Sequence, residues 1–218
     1  MLLLAVAVSS AATDTVETVL ADMDRTAPSF KTFSADLTSV SYTAVIQESV
    51  TEKGVIRLSR SKREMTMLVD FNPPNRKSVA VHGRKLEIYY PEQQTVEEYD
   101  IGRYRTELDQ FMLVGFGTSG KELASAYDVK LVGTESVAGE TANRLELTPK
   151  SAEMLKNMKK LDLWIPPTKA YAVQQKIYLP AGDYRLFTYT NVKVNPQLSD
   201  SDLKLKVPNN TKRVFPQS

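Results

Sequence analysis

Cysteine is absent from this sequence of 218 residues, and histidine occurs only once. The absence of cysteine excludes a disulfide framework, a thiolate nucleophile and a cysteine zinc site. It also removes the residue that carries the acyl groups of a bacterial lipid anchor, so we expect no such anchor. One histidine argues against a histidine-ligated metal site. We therefore expect neither a metal ion nor another cofactor.

The chain also lacks a strong charge of either sign. Its formal net charge is +2, which gives no overall attraction for nucleic acid, so we expect no nucleic-acid partner. A local basic group near the end of the chain favours either contact with a membrane or protein, or a solvated strand edge. This group consists of Lys204, Lys206, Lys212 and Arg213.

Long apolar runs are missing as well, apart from residues 2–8 (LLLAVAV) near the start. This run is too short to cross a hydrocarbon core of about 30 Å, and the small residues 10–12 that follow it are typical of an export signal. No Lys or Arg precedes Leu2, so either the true start lies upstream or the run is a buried first strand. We predict a signal peptide at residues 1–12 without a basic n-region, and one domain over residues 13–218.

The first predicted element of that domain is an amphipathic helix. Val16, Val19, Leu20 and Met23 recur at helical spacing and form one apolar stripe. Asp14 is the expected cap of this helix, and Pro28 ends it. The stripe indicates a helix that either packs on a sheet or lines an open cavity.

Most of the remaining chain has the period-two alternation of strands with one buried face. The clearest stretch is 54–99, where turn residues at 72–75, 82–83 and 91–92 separate short alternating runs. The alternation before it, through Phe33, Leu37 and Val40 to Ala44 and Ile46, predicts one bent strand or two strands joined by a bulge. Further runs follow up to residue 207. We predict a mainly β (α+β) fold with about ten strands in a single curved antiparallel sheet.

One segment, residues 103–126, interrupts the strand pattern. It begins with a polar, helix-prone stretch and continues with large apolar residues and glycines, FMLVGFG. We interpret it as a mobile cover that presses side chains into a hollow. The predicted lid residues are Phe111, Met112, Leu113 and Phe116.

The same segment contains a glycine-rich sequence, GFGTSGK, at residues 115–121. It fits the dinucleotide pattern, and it fits a phosphate-binding loop except that Glu122 stands where Ser or Thr binds magnesium. A carboxylate there repels a triphosphate, and the strand–helix alternation of a nucleotide-binding sheet is missing. A nucleotide-binding enzyme is therefore the third hypothesis, and a flexible hinge under the lid is favoured over it.

Other catalytic patterns are weak. His82 lies beside Gly83 in a predicted turn, and no Ser or Cys nucleophile can be paired with it from the sequence. Glu97, Glu98 and Asp100 contain the carboxylate pair that glycoside hydrolysis needs, but such a run is typical of a solvated strand end. Trp164 and the tyrosines offer stacking surfaces without the basic residues that nucleic-acid binding requires. We predict that the protein is not an enzyme.

The order of these motifs resembles the LolA-like periplasmic carriers that sort outer-membrane lipoproteins. The resemblance covers nearly the whole chain after Thr13. It is carried by GVIRLSR at 54–60, HGRKL at 82–86, YP at 90–91, FMLV at 111–114, Gly139, LELTP at 145–149 and LKLKVPNNT at 203–211. Three departures are Ser61 in place of the family's Pro, His82 in place of Asp, and methionines where the family has a large aromatic residue.

The resemblance implies an unclosed β-barrel with helices at its mouth and a cavity for lipoprotein acyl chains. It implies that Arg60 is the lid lock, which bonds backbone carbonyls of the lid. It further implies a soluble periplasmic protein, loaded by an inner-membrane ABC release complex and unloaded to an outer-membrane acceptor. We expect a monomer.

In such a carrier, alternating apolar residues form the cavity wall, and the methionines suit irregular acyl chains. Methionine on a strand is also ordinary core filler, so a dry, fully packed barrel is the alternative. A second functional hypothesis is a regulatory sensor that binds lipids or lipoproteins and signals to a partner. The predicted cavity residues are Ile56, Leu58, Met65, Met67, Val79, Val81, Leu86, Ile88, Leu145, Leu147, Leu161 and Leu163.

Overall fold

The structure of the protein is a computed structural model that describes residues 15–61, 65–102 and 114–216. The predicted signal peptide at 1–12 lies outside the described residues. So do three of the four predicted lid residues, Phe111, Met112 and Leu113.

The described residues form one sheet of twelve strands in the order β12-β6-β5-β4-β3-β2-β1-β11-β10-β9-β8-β7. The strands are β1 Thr32–Thr43, β2 Glu48–Arg60, β3 Met65–Phe71, β4 Lys77–His82, β5 Lys85–Tyr90, β6 Thr95–Asp100, β7 Tyr127–Val137, β8 Glu140–Pro149, β9 Lys160–Ile165, β10 Gln174–Tyr178, β11 Tyr184–Val194 and β12 Lys212–Val214.

The predicted single, unclosed sheet is confirmed, with twelve strands where about ten were predicted. Its two outer strands, β7 and β12, lie at opposite ends of the order and do not pair with each other. One pairing differs from the prediction, because β12 runs parallel to β6. This short strand arrives through the long segment after β11 and not through a hairpin, so its direction is not fixed by a tight turn.

Three α-helices accompany the sheet in the described ranges: α1 Val16–Thr26, α2 Gly120–Ala126 and α3 Ala152–Asn157. Short 3-10 helices cover Ala27–Ser29 and Asp200–Leu203. The predicted N-terminal helix is confirmed, with Val19 and Met23 buried on its apolar stripe. Its N-cap is Thr15 and not Asp14, because the Thr15 side chain accepts the backbone N–H of Thr18 in a capping box.

The strand predicted through Ala44 and Ile46 ends earlier than expected. β1 stops at Thr43, and residues 44–47 form the turn of a long β1–β2 hairpin. β1 is one strand, and its register with β11 shifts between Ser34 and Asp36, before the change of phase between Leu37 and Val40 that suggested a bend or a bulge. Apolar residues continue through the turn, so the alternation alone gives no signal that the strand has ended.

Two apolar clusters lie against the sheet. The first belongs to the helix-covered half, which we define as β7–β10 with α1, α2 and α3. Its buried residues are Val19, Met23, Val114, Leu123, Tyr127, Leu145, Leu147, Met154, Met158, Leu161, Leu163, Ile165, Ala172 and Ile177.

The second cluster is centred on the pocket half, which we define as β1–β6. It includes Phe33, Leu37, Ile56, Leu58, Met65, Met67, Val69 and Val81 among its buried members. Phe187 on β11 packs against both clusters and lies where the two halves meet.

Candidate functional site

An apolar pocket of about 320 Å³ lies on the inner face of the pocket half. Nine of its lining side chains are aliphatic, aromatic or methionine, and one is charged. They are Leu37, Ile56, Met67, Val69, Phe71, Lys77, Val79, Ile88, Tyr90 and Phe187. A cavity of this size and lining lies within the usual range for small-molecule sites.

The strand register explains why these side chains face the same space. Ile56 lies opposite Val69, Val69 opposite Val79, and Val79 opposite Ile88. Directly opposed residues on neighbouring strands point to the same face of a sheet. One row of branched aliphatic residues therefore crosses β2, β3, β4 and β5 and forms the floor of the pocket.

The pocket has a polar rim at one end. The Lys77 ammonium lies 2.7 Å from a Glu52 carboxylate oxygen and 4.9 Å from the centre of the Phe71 ring. Nearby, burial and the negative charge of Glu97 raise the pKa of Tyr90, so its hydroxyl stays neutral. A cation at the end of an apolar pocket is suited to a ligand with a hydrophobic tail and an anionic head.

The structure separates the twelve predicted cavity residues into three sets. Four line the pocket: Ile56, Met67, Val79 and Ile88. Four more belong to or pack against the same cluster without lining the pocket: Leu58, Met65, Val81 and Leu86. The last four are fully packed in the helix-covered half: Leu145, Leu147, Leu161 and Leu163. Lipid binding by any of them remains a prediction.

Sequence reasoning missed several lining residues. Val69 and Phe71 continue the alternation of Met65 and Met67 on β3, so that alternation was sufficient to find them. Phe187 could not be found in this way, because it reaches the pocket only through the pairing of β11 with β1. Sequence alternation identifies a strand face but does not say which distant strands lie beside it.

The end of the predicted lid segment forms a strap, which we define as residues 114–118. Gly117 donates its backbone N–H to Ala170 at 2.7 Å, and Ala172 donates to Gly115 at 2.7 Å. The Phe116 ring lies 4.8 Å from the Phe33 ring and is almost fully buried. The one described lid residue therefore packs in the core.

Arg60 connects β2 to the strap. Arg60 lies two residues after Leu58 and four after Ile56 on β2, so its side chain points to the same inner face of the sheet. Its guanidinium therefore lies at the end of the pocket half. Its Nη1 donates to the Phe116 carbonyl oxygen at 2.7 Å, and its Nη2 lies 3.4 Å from the Glu122 carboxylate. The family resemblance implied bonds from Arg60 to backbone carbonyls of the lid. The described part of that segment contains this one bond, and the role of Arg60 as a lid lock stays a prediction.

A second side chain, Gln175 on β10, holds the other end of the strap. Its Nε2 donates to the Val114 carbonyl, and its Oε1 accepts the Tyr189 hydroxyl at 2.8 Å. Gln175 and Tyr189 are both buried, and burial raises the pKa of Tyr189. Nothing in the local sequence distinguishes Gln175 from the neighbouring Gln174, so this contact is visible only in the folded chain.

The glycine-rich loop is used for close packing. Gly117 has φ +62°, and a Cβ at this position would lie 2.7 Å from the Phe30 ring. Ser119 caps α2 in a capping box with Glu122, and the Lys121 N–H donates to Asp24 at 3.0 Å. These amides bind protein oxygens, so the geometry offers no support for a phosphate site.

The other catalytic candidates are exposed or paired. His82 is exposed at the end of β4, next to the turn in which it was predicted to lie. Trp164 is buried and donates to Glu135 at 2.7 Å, so its ring is not a stacking surface. Glu97 accepts the Tyr99 hydroxyl at 2.9 Å, and Glu98 pairs with Lys85 and Arg213. Across residues 15–61, 65–102 and 114–216, no group of three or more His, Asp or Glu side chains could hold a metal ion.

The basic residues near the C-terminus have two different environments. Arg213 pairs with Glu87 at 2.7 Å on the edge of the sheet. Lys204 and Lys206 instead line a polar cleft of about 280 Å³ on the outer face, together with Arg57 and Asp202. The 3-10 helix Asp200–Leu203 anchors this segment because Leu203 is buried.

A sequence profile of the MucB/RseB N-terminal domain family matches residues 38–154, just over half of the chain. The chain belongs to this family. Comparison with curated protein sequences gives no match. Among the described residues, we find no helix that is long and apolar enough to span a bilayer.

Solved structures match this chain at low sequence identity. An uncharacterized conserved protein from Thermus thermophilus matches at 11% identity and a TM-score of 0.54, over 91% of this chain and 98% of that one. MucB matches at 16% identity and 0.51, over 88% and 62%. The LolA superfamily protein NE2245 from Nitrosomonas europaea matches at 15% and 0.42, over 88% and 98%.

The MucB/RseB family has a LolA-like fold, so the family match confirms the resemblance to LolA-like proteins. The family that matches by sequence is the MucB/RseB N-terminal domain family, and this chain spans only 62% of the MucB chain.

Proposed function

We propose that this member of the MucB/RseB N-terminal domain family binds the acyl chain of a lipid or lipoprotein and carries it through the periplasm. The observation that carries the proposal is the apolar pocket between β1, β5 and β11, which no described side chain fills. Family membership and the LolA-like fold support the same class of ligand by analogy. The proposal includes no catalytic step.

The energetics favour an acyl ligand. Each buried CH₂ group stabilises a complex by about 0.8 kcal/mol, so an acyl chain gains several kcal/mol from such a pocket. The ammonium of Lys77 lies at the rim, where an anionic head group would replace or share the contact with Glu52. The tail would contact Ile56, Val79 and Ile88, and the head would remain near water.

Loading and release require the cover to move. Arg60 is the proposed lid lock, since it bonds a backbone carbonyl of the strap and is itself partly exposed. Replacing it with Leu should leave loading intact and change the rate of handover. The proposed donor is an inner-membrane ABC release complex, and the proposed acceptor lies at the outer membrane.

A titration with fluorescent fatty acids tests the proposal directly. The native chain should bind a long-chain fatty acid, and Lys77→Met should bind this fatty acid more weakly. The fatty alcohol of the same length has no anionic head group, so Lys77→Met and the native chain should bind it with equal affinity. Lys53→Met is the matched control, because Lys53 lies beside Glu52 on β2, is exposed and does not line the pocket. Absence of any fatty-acid binding, together with absence of co-purified acylated molecules in native mass spectra, would reject the proposal.

The second candidate function is a regulatory sensor, and family membership favours it. A sensor would use the same pocket but would change its affinity for a protein partner when loaded. A carrier would transfer the lipid to acceptor vesicles or proteins. Measuring lipid transfer and partner binding with the same loaded protein distinguishes the two functions.

A further inference from the structure

We propose that the turn of the β1–β2 hairpin, residues 44–47, inserts into the surface of a lipid bilayer and brings the mouth of the pocket to the membrane. The biological reason for docking depends on the proposed function. The physical argument depends on the hairpin and on the side chains around its base.

The turn exposes apolar side chains where polar residues are expected. Val45 is 88% exposed and Ile46 is 60% exposed, the two highest values among the exposed large apolar side chains of the described residues. Hairpin turns favour Gly, Asn, Asp and Ser, and branched aliphatic residues fit them poorly. Val50, on the adjoining part of β2, is also more than half exposed. Neither the backbone conformation of the turn nor its exposure to water explains why the turn contains branched aliphatic residues.

The hairpin projects on the side of the pocket. The pairing of β2 with β3 ends at Gly54 and Phe71, so residues 48–53 extend beyond β3. Six residues of strand correspond to about 20 Å. Phe71, Lys77 and Tyr90, which line the pocket, lie at the strand ends on this same side. The ion pair between Lys77 and Glu52 ties the projecting strand to the rim.

Behind the turn lies a group of aromatic and cationic side chains. The rings of Tyr42 and Tyr184 stack at 4.9 Å, and the Lys176 ammonium lies 4.2 Å from the centre of the Tyr184 ring. Tyr42 precedes Val45 by three residues and lies at the end of β1, which stops at Thr43. Tyrosine and lysine favour the interface between water and hydrocarbon, so this spacing suits a turn whose tip reaches the acyl chains.

The shape and charge of the hairpin favour a bilayer over a protein surface. A tip of two side chains cannot supply the roughly 800 Å² per partner that a stable protein interface buries. Positive charges near the tip, Lys176 and Arg185, are accompanied by Glu48 and by Asp183, which accepts the Ala44 N–H at 2.8 Å. Because the charges are mixed, insertion of apolar side chains should contribute more to binding than attraction to anionic lipid.

Vesicle binding by the full chain tests the proposal. The double variant Val45→Ser/Ile46→Ser is compared with Val132→Ser, which removes an exposed valine from β7, outside the hairpin. The probes are phosphatidylcholine vesicles and vesicles of phosphatidylethanolamine with phosphatidylglycerol. We expect the native chain and Val132→Ser to bind both, and the double variant to bind about 10- to 100-fold more weakly. Binding should persist in about 1 M salt, where charges are screened within about 3 Å.

An Ile46→Trp variant adds a direct measure of insertion. Fluorescence from the introduced indole should shift to shorter wavelength with vesicles and should be quenched by lipids brominated on their acyl chains. If the native chain does not bind vesicles, if the double variant binds as well as the native chain, or if the introduced indole is not quenched, the proposal is wrong. Fatty-acid binding by the double variant is measured in parallel. Its retention separates a failure of membrane docking from a failure of the pocket.

Discussion

The two halves of the sheet carry similar apolar faces, but the residues that the structure describes fill only one of them. In the helix-covered half, Leu145 and Leu163 are fully buried, and α1 contributes Val19 and Met23 to the same cluster. In the pocket half, Val79 and Ile88 remain partly exposed around a space of about 320 Å³. The apolar strand face is therefore a common feature, and the element that covers it decides whether a core or a pocket results.

A matched pair of isoleucines gives the largest expected contrast. Ile177 faces the helix-covered half and is buried, whereas Ile88 lines the pocket and is partly exposed. Ile177→Ala should lower the free energy of unfolding by about 2–5 kcal/mol, because a packed core does not fill the resulting cavity. Ile88→Ala should cost about 1 kcal/mol, since the space beside it is already open. Urea unfolding measures both, and equal losses would contradict the distinction between the halves.

Enlarging a side chain should have opposite consequences in the two halves. Val19→Phe overfills the helix-covered half and should destabilise the protein by about 1–3 kcal/mol. Val79→Phe places the same added volume in the pocket, so it should leave the unfolding midpoint nearly unchanged and abolish fatty-acid binding. If Val79→Phe keeps normal binding, the ligand does not occupy this pocket.

The strap between the halves is held by two side chains that differ in burial. Gln175→Leu leaves the buried Val114 carbonyl and the Tyr189 hydroxyl without their partner, and we expect a loss of about 1–3 kcal/mol. Arg60→Leu should cost less, because Arg60 is partly exposed and water can reach the atoms that it leaves. Hydrogen exchange at residues 114–118 should rise in both variants. Unchanged exchange in both would show that neither side chain holds the strap.

The smallest expected effect is a dependence of stability on pH in the helix-covered half. A hydrogen bond from Lys160 lowers the pKa of Glu146 on β8. A carboxylate with a lowered pKa stabilises the fold above its unfolded pKa of about 4.3, and this contribution is lost as the pH falls through the folded pKa. The native chain should therefore lose more stability on acidification than Glu146→Gln does.

The control for this measurement is Glu92→Gln, which alters an exposed carboxylate in the turn after β5. Its loss of stability on acidification should match that of the native chain. If Glu146→Gln also matches the native chain, the ion pair with Lys160 makes no measurable contribution.

Local patterns predicted much of the fold and part of the site. The alternation on β2 to β5 identified Ile56, Met67, Val79 and Ile88, because a period of two places these residues on one face. The same alternation also selected Leu145 and Leu163, since a filled half and an open half have the same period. The end of β1 was missed because Ala44, Val45 and Ile46 continue the apolar pattern through the turn.

The sequence by itself determined most of the strands, the amphipathic helix α1 and the type of side chain on each face, because these depend on residues close together in the chain. The last strand was predicted wrongly: the run that ends at residue 207 predicted a strand over 203–207, whereas the structure has a 3-10 helix at Asp200–Leu203 and the strand β12 at Lys212–Val214. The tertiary structure alone decided that α1 covers β7–β10, that β11 brings Phe187 beside Leu37, and that Gln175 reaches the strap. These are contacts between segments far apart in sequence. They depend on how the whole sheet curves and pairs, and no local period encodes that.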